Sequence, residues 1–528
     1  MPITTALLVA AAAYQAQKVS GNNGEDCNDD DDCNPPNITP EFLENKVPIE
    51  LLPLEQSLSM LEWPIVTVSF YTCPAAHMEG VRHRIEQRVQ DILVANPWLG
   101  GWIVRGKGVG SFDKTPRLWY DPLGNEMAPL IYQKLSYDDI PLDKDTDYIT
   151  YENILSNTNA VIKTNPEIEN RKEEPLFRVT IIPHESSFAL LVSMSHICGD
   201  GHTYYRIYNM LTGNTPITSL KCQRELLYST EIMNLMGKQE AHYIQHITED
   251  PAWVKLFRWD SNDSSNNTEE DTLDNLQGRV FTVDREWIAK IKSSHLTIGQ
   301  QFDAIVEGSD IAQSTLRSPM EPTYLNELEN EIRNSNPTQS TNDILCSFFW
   351  SLVEPHVGLM SVNFRKRLDI LDEDHAGNYA NPIPYTKEDY KSPLLIRKSL
   401  DNCRRAGVLM GGTDRPTVLP RPHAELTFSV ITNWTSFLSK SDKEKEQSDD
   451  EVEDEESWWC NSSSGINLIR HLPIISPKGM MKDMPKRMSL LIIFSSGVDD
   501  IGCALIAPGR VMNEIDNCGV VKEMIARF

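Results

Sequence analysis

Phe188-Ala189-Leu190-Leu191-Val192-Ser193-Met194, then Ser195-His196-Ile197-Cys198-Gly199-Asp200-Gly201, then His202 to Gly213 (HTYYRIYNMLTG), is the stretch on which the reading of the fold turns. The first seven residues are β-rich and apolar at nearly every position, which reads as a strand buried on both faces. Past the glycine-bearing turn, Tyr204, Ile207, Tyr208 and Leu211 fall on one helical face. His196 therefore stands where a buried strand ends and a turn leads into a helix. In such a place a rigid element aims a side chain and a loop gives access to it.

Working outward, Leu176–Ile182 is a second β-rich run, and Pro183–Ser187 reads as the turn that pairs the two as a hairpin. Upstream, Val81, Ile85, Val89 and Ile92 recur at helical spacing from Met78 to Val94. Asn96-Pro97 stops that helix, and Trp102-Ile103-Val104 is strand-like. Residues 1–46 read as a disordered tail, with folded sequence starting near Val47. Downstream, Asp260 to Gln277 is polar and poor in aromatics, a linker composition. Arg279–Val283 reads as a strand, and Asp284 as the cap of a helix through Trp287, Ile288 and Ile291. Ser340-Thr341-Asn342-Asp343 opens another helix, whose apolar stripe is Ile344, Leu345, Phe348, Phe349 and Leu352. Leu426–Asn433 reads as a strand. Met488–Phe494 and Ile501–Ile506 read as paired strands, with a terminal helix from about Arg510. The expected architecture is α/β (α+β layers) in two halves, 47–255 and 279–528, each a mixed sheet with flanking helices. A linker joins them at 256–278, and insertions fall at about 293–339 and 440–465.

Composition narrows the function. The 528 residues carry a formal charge of −27, concentrated partly in Asp29–Asp32 and in Ser441–Glu456. Such runs are ordinarily solvated segments. An acidic body repels phosphate backbones, so no nucleic-acid partner is expected. The ten cysteines form no CxxC pair, which removes zinc-site spacing and a dense disulfide framework. Ala6–Tyr14 is apolar but shorter than the roughly 20 residues that span a bilayer. No transmembrane segment and a cytoplasmic location are expected, with secretory or organelle targeting by that run as the alternative.

A histidine at a strand end is ordinarily a structural residue, and His-x-x-x-Asp recurs by chance. A metal pair lacks a third ligand nearby, so no metal is expected. The chemical alternative is general-base catalysis. A neutral imidazole can take the proton of a hydroxyl or amine as it attacks a thioester carbonyl, which contributes roughly 10²–10⁴ in rate. Asp200 then anchors the turn by pairing with an arginine elsewhere, and Gly201 lets the backbone turn where a Cβ would clash. Cys198 is the competing nucleophile, but no second histidine adjoins it, and it reads as a packed thiol.

His196-Ile197-Cys198-Gly199-Asp200-Gly201 resembles the HxxxDG motif of the chloramphenicol-acetyltransferase-like acyltransferases, and the later segments resemble the BAHD family and its fungal acetyltransferase relatives. Ser340–Trp350 is similar to the family's STND helix, and Val362–Leu368 to its Asn-x-Arg-x-Arg segment. Ala376-Gly377-Asn378 is similar to its Gly-Asn, and Ile431–Trp434 to its Thr-Ser-Trp strand end. They occur in the family's order, from roughly Leu51 to the C-terminus. The resemblance implies an active-site channel between the halves with His196 as base. It implies Asp200 paired with Arg365 in preference to Arg367, Asn378 supporting that network, and Thr432 and Trp434 near the oxyanion. It further implies a ternary-complex reaction of an acyl-CoA cosubstrate with a small-molecule alcohol or amine, no permanently bound cofactor, and a monomer. The family's Asp-Phe-Gly-Trp-Gly has no counterpart; the acidic insertion and Trp458–Pro477 occupy its place. Residue 195 is Ser where peptide-synthetase condensation domains carry a second His, and no flanking carrier-protein segment is expected. Two other functions fit the same fold: a non-catalytic binding or scaffold protein, and a carrier-protein-dependent condensation enzyme.

Overall fold

The computed structural model of the chain describes residues 38–56, 64–105, 115–123, 128–148, 150–151, 158–163, 173–249, 276–293, 339–405, 419–420, 426–438, 465–474, 488–497 and 500–527. The Ala6–Tyr14 run and the acidic runs lie outside these residues. So do most of the linker and nearly all of both insertions.

The protein is mixed α/β, with its helices packed on two large mixed sheets. The five-stranded sheet has the order Asn467–Pro473, Ile65–Thr72, Ser187–Met194, Phe177–His184, Tyr132–Lys134. Its strands are antiparallel except for the last pair. Ser187–Met194 is its middle strand and is buried from Phe188 onward, as its unbroken apolar character requires. The seven-stranded sheet has the order Ala380–Tyr385, Val357–Asn363, Phe428–Asn433, Met488–Ser495, Ile501–Pro508, Leu276–Val283, Val521–Arg527. Phe428–Asn433 runs parallel to both of its neighbours, and the other pairs are antiparallel. A three-stranded sheet of Val47–Glu50, Pro116–Tyr120 and Trp102–Arg105 flanks the first half.

The helices follow their sequence signals. Helix Met78–Ala95 buries Val81, Ile85, Val89 and Ile92. Ser340 and Asp343 form a reciprocal capping box on Thr341–Val353. Asp284 Oδ1 accepts from the amides of Glu286 and Trp287, at 2.7 and 3.4 Å. Among the described residues no helix is long and apolar enough to cross a membrane.

Five local readings change. Residues 38–46 of the expected tail are structured, because Thr39 caps the short helix Pro40–Leu43 and Leu43 is in the core. The hairpin turn shrinks to Glu185-Ser186, since Pro183 and His184 still pair in the ladder. Residues 276–278 belong to a strand, and the strand near Leu426 starts at Phe428. The terminal helix Gly509–Asn517 gives way to a final strand, Val521–Arg527. The largest change concerns the division at 279: Asn467–Pro473 leaves the second half and completes the sheet of the first, pairing with Ile65–Thr72. A buried polar key seats it there. His471 Nδ1 and Ser69 Oγ are 2.8 Å apart, and His471 Nε2 and Tyr205 Oη 2.9 Å. Such a pairing between distant segments has no local sequence signature.

Candidate active site

His196 follows the middle strand directly. The Ser195 amide donates to Leu176 O at 2.7 Å, so the loop leaves the sheet at a fixed point. The His196 side chain is 1% exposed, and this burial lowers its pKa to about 4, so it is neutral at pH 7. Cys198 is equally enclosed, and burial pushes its thiol up to about 12, far from a thiolate at neutral pH.

Asp200 works at two places at once. Oδ1 caps the helix Gly201–Thr212 by accepting from Thr203 N at 3.1 Å. Oδ2 accepts from Arg365 Nη1 at 2.8 Å and from Tyr379 N at 3.0 Å. Burial alone would raise this carboxyl, but the Arg365 charge outweighs it and holds the pKa well below the usual carboxylate range. Both oxygens are thus spent on the scaffold. The other guanidinium donors of Arg365 go to His375 O and Gly377 O, each at 2.8 Å, and to Thr203 Oγ1 and Asn363 Oδ1, each at 3.1 Å. Neither partner of this ion pair is exposed. Arg367 points elsewhere, donating to Leu400 O and Cys403 Sγ.

Gly201 has a role other than the one read from the sequence. It is the first residue of the helix. A Cβ there would lie 3.3 Å from Trp434 Nε1, so its missing side chain admits the indole. The tight turn instead needs Gly199, where a Cβ would stand 2.5 Å from that of Thr203. Trp434 is buried, with its amide donating to Ile493 O at 2.7 Å. Thr432 is buried in the strand Phe428–Asn433, opposite Ile492. Among the described residues no hydrogen bond joins it to His196, Asp200 or Arg365. Its neighbour Asn433 ties this corner to the helix Thr341–Val353 by donating to Asn342 Oδ1 at 2.7 Å. Ser195 Oγ, Asn378 Oδ1 and Trp434 Nε1 are buried and meet no hydrogen-bond partner among the described residues.

Asn378 links the His196 main chain to a carboxylate that the sequence did not flag. Its Nδ2 donates to His196 O at 2.8 Å and to Glu55 Oε1 at 2.9 Å, and its amide donates to the same oxygen at 2.8 Å. Glu55 is itself paired with Arg224, Nε to Oε2 at 2.9 Å, both side chains fully enclosed. Glu55 and Arg224 are 169 positions apart, in segments without any recognisable motif, so no pattern could have paired them. Among the described residues no group of three His, Cys, Asp or Glu side chains could hold a metal ion.

No protein-family model matches the chain, and no curated protein matches it in sequence. Among solved structures it is similar to F. graminearum TRI101 complexed with ethyl coenzyme A, at 14% identity and a TM-score of 0.48 over 89% of this chain and 97% of that one. It is also similar to vinorine synthase, at 13% identity and a TM-score of 0.47 over 90% and 94%. A third is the first condensation domain of the CDA synthetase, at 9% identity and a TM-score of 0.47 over 89% and 93%.

Proposed function

We propose that the chain is an acyltransferase that moves an acyl group from an acyl-CoA thioester to an alcohol or amine, with His196 as general base. The observation that carries this reading is the division of labour at the turn. The imidazole is kept neutral, while the carboxylate four residues later is wholly committed to Arg365, Tyr379 N and Thr203 N. A neutral imidazole on a fixed main chain is what a one-step proton transfer needs.

In the proposed step the imidazole takes the acceptor's proton as the acceptor oxygen or nitrogen bonds to the thioester carbonyl carbon. The tetrahedral adduct then collapses, the C–S bond breaks, and the imidazolium returns the proton to the departing thiolate. Burial that lowers the pKa from 6.5 to about 4 disfavours the imidazolium by about 3 kcal/mol. The negative oxyanion formed in the same enclosed space offsets that, since opposite charges attract strongly where water is excluded. The buried Trp434 Nε1–H is a donor suited to the oxyanion, a contribution of about 3–4 kcal/mol. The high Cys198 pKa argues against a covalent acyl-enzyme on that thiol.

The test is His196→Ala assayed with acetyl-CoA and a mixed panel of alcohols and amines, following CoA thiol release. Turnover should fall by at least roughly 10²-fold with the melting temperature near that of the wild type. Undiminished turnover in that variant rejects the base. A wild-type chain that releases no thiol from acetyl-CoA but accepts an acylated carrier protein points to condensation chemistry instead.

A further inference from the structure

We propose that Glu55 and Arg224 form a second clamp on the His196 loop, acting as positioning residues for the base; this rests on the general-base reading above. Arg365 and Asp200 hold the loop at its downstream end, at the start of the helix. Among the described residues no hydrogen bond joins that pair to the main chain of residues 196–198. Arg224 makes such bonds: its Nη2 donates to Ile197 O at 2.9 Å and to Cys198 O at 3.2 Å. Its Nη1 donates to Ala376 O at 2.9 Å and Cys222 O at 2.8 Å. The His196 carbonyl is taken by Asn378 Nδ2, and Asn378 is held by Glu55. Three successive carbonyls, from the base onward, are thus fixed by one buried network that centres on Glu55–Arg224.

The chemistry explains why these residue types are present. Among the described residues, the hydrogen-bond partners of the Glu55 carboxylate are all donors: Arg224 Nε, Asn378 N, Asn378 Nδ2 and Leu52 N. Two anionic oxygens suit that set, whereas a glutamine would set its amide N–H groups against donors. Arg224 must reach one carboxylate and four carbonyls in a fixed plane, which a lysine ammonium cannot do. Burial opposes the Arg224 charge, yet Glu55 keeps the guanidinium above its ordinary pKa. The two clamps meet at Gly377–Tyr379. Gly377 O accepts from Arg365, and a Cβ on Gly377 would stand 3.0 Å from Arg224 Cδ and Nε. Tyr379 N donates to Asp200, and Tyr379 Oη accepts from Glu225 N at 2.7 Å.

The experiment uses the full chain with Glu55→Gln and Arg224→Lys, and with Glu55→Asp as the conservative variant. Two readouts are taken: hydrogen exchange of the 195–201 segment against the helix Thr341–Val353, and CoA thiol release from acetyl-CoA. A clamp predicts faster exchange at 195–201 in Glu55→Gln and Arg224→Lys, with the distant helix unchanged. It also predicts kcat down by roughly 10- to 100-fold at constant KM, the penalty of a base misplaced by an ångström or less, and partial recovery in Glu55→Asp. Unchanged loop exchange overturns the proposal, and so does acceleration spread equally to Thr341–Val353. A loss confined to KM overturns it as well. If the wild type is inactive on every acceptor, the general-base reading fails, but the exchange comparison still decides the clamp. If neither variant folds, slow exchange of 195–201 in the wild type, matching Ser187–Met194, is required; fast exchange there refutes the clamp.

Discussion

Replacing Asp200 by alanine removes one carboxylate from a site where neither it nor Arg365 is exposed. The guanidinium left behind keeps its carbonyl and hydroxyl partners but loses its counter-charge among the described residues. Stranding a buried charge costs about 3–5 kcal/mol. The helix also loses its cap at Thr203 N, worth about 1 kcal/mol, and the buried Tyr379 amide loses its acceptor. These losses overlap, so the charge term sets the scale. Opening of Gly201–Thr212 should become easier by about 3–5 kcal/mol, and hydrogen exchange of its inner amides roughly a hundred- to several-thousand-fold faster. Arg365→Met should do comparable damage, because it strands the Asp200 carboxylate. The double variant strands neither charge, so the two effects should fall short of additivity by at least one stranded-charge term, about 3 kcal/mol or more. Arg367→Met provides the control. Its guanidinium contacts Leu400 O and Cys403 Sγ, and its effect should add to that of Asp200→Ala within about 0.5 kcal/mol. Additivity with Arg365, or coupling with Arg367, would refute the assignment of the downstream clamp.

Other consequences can be checked on the same protein. Burial lowers His196 and His202 to about 4 and His471 to about 3, so between those values and 6.5 the unfolded chain binds more protons than the folded one. Stability is therefore full above about pH 6.5 and lost as the pH falls toward 4, with a limiting slope of about 4 kcal/mol per pH unit for three histidines; a flat unfolding free energy from pH 7 to 4.5 would contradict this. The same burial puts the acid limb of kcat/KM near pH 4, and a limb at 6.5 in a steady-state profile would mean that the base is solvated. Gly377→Ala forces a side chain onto a φ of +139° and against Arg224 and Tyr379. It should cost about 1–3 kcal/mol from the backbone alone, with turnover reduced as well; wild-type thermal stability in that variant would show the seam to be slack.

Much of this was legible where the signal is local. The unbroken apolar run Phe188–Met194 announced a central strand, and the Ser340/Asp343 spacing and Asp284 announced helix starts. Asp200 and Arg365, singled out in separate segments, prove to be in contact. What stayed hidden was long-range. Glu55 and Arg224 look like ordinary surface charges in sequence, and only the fold brings them together. His471 carries no hint that it sits between Ser69 and Tyr205. The glycine reading erred for a related reason: a glycine after the aspartate looked like a turn residue, and nothing local revealed an indole approaching from strand Phe428–Asn433.

The crossing of Asn467–Pro473 into the first sheet has a consequence for how the polypeptide can be divided. Severed between 251 and 275, the N-terminal piece would end its sheet at Ile65–Thr72, with a row of bare amides and carbonyls open to any passing strand. Tyr205 would lose its imidazole partner, and Ser69 would keep Tyr208 Oη alone. Tyr228, Ile232 and Met236 of the N-terminal piece pack in the core of the second half, so neither fragment is expected to fold alone. Each holds a part the other lacks, and solubility should return only when the two are produced together.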